Sequence, residues 1–135
     1  MESIYDVVVI GGSYAGLQAA LTLGRALRKV LVIDSGMPCN RQTPHSHNFL
    51  TQDGETPAGI AAKARLQLSA YHTVSVLNDY VVNTVTDQGA FMVKTASGME
   101  LTARKLLFTT GLKDLMPAIK GFEACWGVSV IHCPY

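Results

Sequence analysis

The sequence predicts an α/β fold in which a parallel sheet carries an added β-meander. Three observations lead there. A Val-rich apolar run over 5–10 stops at Gly11 and Gly12, a helical period follows over 14–28, and a second short apolar run over 30–33 closes on Asp34. Strand, helix and strand in that order form a βαβ unit that crosses over right-handed. Parallel strands covered on both faces read as continuous apolar runs, as these do.

Each element has its own local reason. In the first helix Leu17, Ala20, Leu21, Gly24 and Leu27 recur at helical spacing, and Arg25, Arg28 and Lys29 sit where the negative helix end favours them. Residues 35–55 are rich in Pro, Asn, Gly, His and Ser and keep no period, so they predict a long loop of the kind that is usually functional or disordered. Thr56 then reads as an N-cap with Pro57 in the first helical position, and Ile60, Ala64 and Leu68 mark one face of a helix ending near Ala70. Residues 74–77 predict a third parallel strand. The stretches 80–86, 90–95 and 99–104 predict three short meander strands, with Ser97 and Gly98 turning between the last two. Residues 105–109 return to a buried run that stops at Gly111, and beyond it only 128–131 has strand character.

Composition narrows the function. With 135 residues, 48% hydrophobic and 16% charged, the chain predicts one soluble globular unit. A net charge of +1 with interspersed signs offers no basic face, which argues against nucleic acid as a partner. The longest apolar runs are far shorter than the roughly 18 residues a spanning helix needs. The N-terminus, with Glu2 and Asp6, lacks the basic start of a secretory signal. Cys39, Cys125 and Cys133 are an odd number without framework spacing, so the expected setting is reducing and cytoplasmic.

The chemistry concentrates at the first turn. Gly11, Gly12, Ser13, Tyr14, Ala15 and Gly16 follow a strand and open a helix, where free backbone N–H groups and the positive helix end suit a pyrophosphate. Gly11 makes the tight turn and Gly16 the close helix packing, while Ser13 replaces the middle glycine of the G-x-G-x-x-G pattern. Asp34 stands roughly 20 residues further on, the spacing of a carboxylate that accepts a ribose hydroxyl. The bland alternative is an ordinary glycine turn and a surface aspartate; the conjunction favours a dinucleotide site in a Rossmann-type sheet. FAD and NAD share this fingerprint, and it does not choose between them. His45 and His47 lack a neighbouring acidic or cysteine cluster in the sequence and read as polar loop histidines, so no metal site is expected.

Taken in order, GGSYAG, a meander, Thr109, Thr110 and Gly111, and a terminal His132, Cys133, Pro134 and Tyr135 resemble the thioredoxin reductase-like, FAD-dependent pyridine nucleotide-disulfide oxidoreductases. The resemblance runs over almost the whole chain. It implies FAD at the first site, reduced by NAD(P)H, with electrons passing to a disulfide or small-molecule substrate. It implies that Cys133 is the first cysteine of a Cys-x-x-Cys redox motif and therefore catalytic. It places Arg41 and Asn48 on the loop that leads toward the flavin, Val81 or Val82 beside the adenine, and Thr110 and Gly111 in the family's Thr-Gly motif. Residues 1–111 become the first segment of the FAD-binding domain, and 112–135 the start of the next segment.

Only one motif cysteine lies within the chain, and intramolecular redox cycling needs a second thiolate to resolve the first. A plain free thiol is the competing reading of Cys133. Two further readings stand beside the enzyme fragment: a noncatalytic nucleotide-binding or regulatory module ending at Tyr135, and a homodimer in which two copies complete the fold.

Overall fold

The computed structural model describes residues 4–131. It contains β1 (Tyr5–Ile10), α1 (Tyr14–Arg25), β2 (Val30–Asp34), a 3-10 turn (Cys39–Gln42), α2 (Pro57–Leu68), β3 (Val74–Asn78), β4 (Val81–Asp87), β5 (Ala90–Thr95), β6 (Glu100–Phe108) and the short α3 (Phe122–Cys125). One six-stranded sheet runs in the order β3-β2-β1-β6-β5-β4. The neighbours β3, β2, β1 and β6 are parallel, whereas β5 is antiparallel to both β6 and β4. Rossmann-type sheet and meander are thus both present.

Alternation along β1 and β2 feeds two cores. Val9, Val30 and Val32 face α1 and α2 and meet Leu17, Ala20 and Leu68. Val8, Ile10, Leu31 and Ile33 form the opposite core with Val93 and Ala103 of the meander. The α2 start is as expected: Thr56 Oγ1 accepts from Gly59 N at 3.0 Å, and Pro57 occupies the first turn. Gly24, a poor helix former, has a packing reason, because a Cβ there would lie 2.7 Å from Val74 Cγ2.

Four expectations need correction. The third meander strand and the run after it are one strand, β6. Its first half pairs with β5, Phe91 opposite Ala103, and its second half pairs with β1, Ile10 opposite Phe108. The exposed pair Arg104 and Lys105, which resembles a boundary, directly follows Ala103, where the strand exchanges partners. Its LLF segment is not fully buried either: Leu107 and Phe108 are 39% and 62% exposed. Residues 128–131 form no strand beyond an isolated bridge between Trp126 and Val130.

The fourth correction is that α1 stops at Arg25 rather than near Arg28. Leu27 turns left-handed at φ 56°, with Leu27 N donating to Gly24 O at 2.9 Å and Arg28 N to Leu23 O at 3.0 Å. This is a Schellman cap with leucine where glycine is usual. Left-handed backbone costs an L-residue about 1–2 kcal/mol, and the Leu27 side chain is 73% exposed, so it regains little by burial. Leu27→Gly is therefore expected to raise the unfolding free energy by about 1 kcal/mol in urea titrations.

Candidate functional site

Parallel strands bring their carboxyl ends to one edge. Here that edge gathers Ile10 of β1, Asp34 of β2, Asn78 of β3 and Phe108 of β6, together with the loops that follow them. Open α/β sheets bind ligands in this position. The turn after β1 is anchored by Gly11 N donating to Ile33 O at 2.8 Å.

Three contacts explain the glycines. Gly11 has φ 107°, and a Cβ there would lie 2.3 Å from Thr109 O. A Cβ on Gly16 would lie 1.9 Å from Gly11 O, so the first turn of α1 packs directly on the strand end. A Cβ on Gly12 would lie 2.6 Å from Asp34 Cβ. Backbone therefore approaches backbone and carboxylate with no side chain between. Ser13 caps α1 in extended conformation without a side-chain hydrogen bond to the helix. The first N–H groups of α1, including those of Tyr14, Ala15 and Gly16, have no acceptor within the helix and are open to an anion.

Asp34 sits at the opposite wall, its side chain 12% exposed. Gly12 N donates to Asp34 Oδ1 at 3.2 Å, and Arg65 of α2 pairs with Asp34 Oδ2. Asp79 N donates to the Asp34 carbonyl at 3.1 Å, which ties the entry to β4 to the same corner. The Asp79 carboxylate is held to about 2, below its ordinary 3.8, first by the Ser97 hydroxyl and then by the Thr95 hydroxyl and the Tyr80 N–H.

The predicted residues divide into two sets. Gly11, Ser13, Ala15, Gly16, Asp34, Thr110 and Gly111 lie along the sheet edge. Tyr14 begins α1 there, but its hydroxyl reaches Pro57 O at 3.3 Å, so its backbone rather than its side chain faces the turn. A register shift between Val81 and Asn83 leaves Val82 without a cross-strand partner, whereas Val81 pairs with Thr95 and packs on the core. Arg41 and Asn48 belong to the loop before α2: Arg41 Nη1 donates to Pro38 O, and Asn48 N to Asp53 Oδ1. That loop is closed on itself by Ser46 N to Glu55 O and Gly54 N to Ser46 O, both 2.7 Å. Cys133 lies outside the described residues. His47 Nδ1 lies 3.6 Å from Asp53 Oδ1, yet no group of three or more His, Cys, Asp or Glu gathers among the described residues.

Sequence reasoning missed Arg65, and it named Gly12 and Thr109 without the contacts they make. The Thr109 hydroxyl donates to Gly11 O at 2.7 Å, with Ile10 O at 3.2 Å as a weaker second acceptor. Its place in the Thr-Thr-Gly segment was a signal, but not of this contact. Nothing local marks Arg65, which lies 31 residues from Asp34.

This edge has the parts of a dinucleotide site. The pyridine nucleotide-disulphide oxidoreductase family model matches residues 5–133. The chain belongs to that family. It is 36% identical to thioredoxin reductase tcpT of Claviceps purpurea over 99% of its length, and 38% identical to thioredoxin reductase aclD of Aspergillus oryzae over 96%. It spans 43% and 42% of those two relatives. The crystal structure of the oxidoreductase from Agrobacterium tumefaciens covers all of this chain with a TM-score of 0.93 at 44% identity, the chain covering 45% of that structure. The thioredoxin reductase-like, Rossmann-type FAD-binding fold inferred from the motifs is thereby established for this portion. No helix among the described residues is long and apolar enough to cross a membrane.

Two measurements probe the corner. Thr109→Val removes the hydroxyl that holds Gly11 O and is expected to cost about 1 kcal/mol in urea unfolding, with Thr109→Ser close to the parent. The Asp79 carboxylate, depressed when folded, contributes stability above about 3.8 that is lost as pH falls through about 2. In Ser97→Ala its titration, followed by NMR, is expected to move up toward 3.8, and the stability difference from the parent to vanish below pH 2.

Proposed function

We propose that this chain is the FAD-binding part of an oxidoreductase that passes electrons from NAD(P)H through FAD to a disulfide or small-molecule substrate. The observation that carries the reading is the single corner where the close turn through Gly11, Gly12 and Gly16 sets the first N–H groups of α1 beside Asp34. FAD fits that donor set, because the helix-end N–H groups suit a pyrophosphate and a carboxylate accepts ribose hydroxyls. When bound, the flavin supplies the two-electron chemistry, and the protein supplies placement and electrostatics.

In this reading Gly11 makes the tight turn that lets Ser13, Tyr14, Ala15 and Gly16 hold the pyrophosphate through their backbone N–H groups, and Asp34 fixes the adenosine ribose. The start of β4 at Val81 and Val82 lines the adenine end, and Thr110 and Gly111 close the edge next to the turn. Arg41 and Asn48 approach the flavin from their loop. Cys133 serves as a redox thiol, and residues 112–135 begin the segment after the FAD portion. The working protein is a cytoplasmic homodimer with neither nucleic acid nor membrane as partner. The relatives named thioredoxin reductases support the disulfide as electron acceptor.

The experiment is the visible spectrum of the protein after FAD addition and desalting. Flavin bands near one equivalent are expected, and folded but colourless protein overturns the reading. Gly11→Val, whose side chain would collide with Thr109 O, is expected to lose the flavin. Undiminished flavin in a folded variant would show that the turn does not hold the pyrophosphate.

A further inference from the structure

Asp34 is a carboxylate with two partners already in place. Its side chain is 12% exposed, with Gly12 N on Oδ1 and the guanidinium of Arg65 on Oδ2. A carboxylate offers about four acceptor positions, two on each oxygen. With these two filled, one position is left on each oxygen, which matches the two neighbouring hydroxyls of a ribose. Arg65 reaches the pair from the last turn of α2, a position that favours a cation, and its side chain remains 37% exposed.

We propose that Arg65 is a positioning residue for adenosine recognition, holding the Asp34 carboxylate in the one orientation that presents both free acceptor positions to a ribose diol. This rests on the dinucleotide reading given above. Arg65 acts through Asp34 and does not compete with the ligand, because Nη2 occupies a single acceptor position. Without the guanidinium, a largely buried carboxylate loses its counter-charge and is free to rotate toward the open N–H groups of the α1 turn. The ribose hydroxyls would then lose their acceptor while the pyrophosphate kept its own donors. The α2 helix thereby gains a role in ligand selection besides packing.

The test compares ADP with 2′-deoxy-ADP on the full chain by isothermal titration calorimetry. The parent is expected to bind ADP about tenfold more tightly than the deoxy analogue, the effect of one hydrogen bond to a charged acceptor. In Arg65→Met that ratio is expected to fall below about threefold, mainly through weaker ADP binding. A purely structural role for Arg65 would weaken both nucleotides alike and keep the ratio. In an Asp34→Asn background, with its ratio near one, adding Arg65→Met is expected to change the ratio no further.

Arg65→Lys guards against a misfolded methionine variant. It keeps the charge without the planar fork, and an intermediate ratio is expected. A parental ratio in a folded Arg65 variant, or tighter ADP binding by it, overturns the proposal while leaving the flavin reading intact. A parent that binds neither FAD nor ADP overturns both.

Discussion

The close approach of the Gly11 carbonyl to Gly16, with the Thr109 hydroxyl bonded to the same oxygen, is the constraint on which the rest of this structure depends. It requires an α-helix to begin directly against the end of β1, and that requires residues without side chains at two positions. Once α1 is seated there, its Leu17 and Ala20 land on Val9, Val30 and Val32. The helix axis then points its unsatisfied N–H groups over the sheet edge. A turn constraint thus becomes a core and a ligand-facing surface together.

Charge and hydrogen bonding complete the same corner from outside the βαβ unit. Asp34 receives Arg65 from α2 on its side chain and Asp79 from the approach to the meander on its backbone. Asp79 is itself fastened by Ser97, which belongs to the turn between β5 and β6. Elements far apart in sequence therefore converge on one residue, Asp34. Shape at this site comes from glycine and polarity from long-range pairing.

What was legible in the sequence is what is encoded within a few residues. The apolar runs of β1 and β2, the glycine turn, and the Thr56-Pro57 helix start each carry their signal locally and stand where expected. The end of α1 did not announce itself, since a left-handed cap is usually marked by glycine and here the residue is Leu27. The unity of β6 was hidden because Arg104 and Lys105 look like a break in an apolar run, although a strand changing partners tolerates exposed side chains there. The Arg65 contact with Asp34 and the Thr109 contact with Gly11 were illegible because the partners meet only after the whole sheet has closed. The family motifs reached further than periodicity because they summarise such long-range contacts.

The partner exchange in β6 also sets an order of events during synthesis. The central strand β1 is made first, yet its second neighbour is β6, whose residues follow nearly a hundred positions later. At about 5–20 residues per second, β1 waits about 5–20 s with one hydrogen-bonding edge open. Its only early companion is β2, supplied through the local α1 crossover. The βαβ unit is thus the natural nursery of the fold, and β1 gains its second neighbour only when β6 slides in beside β5.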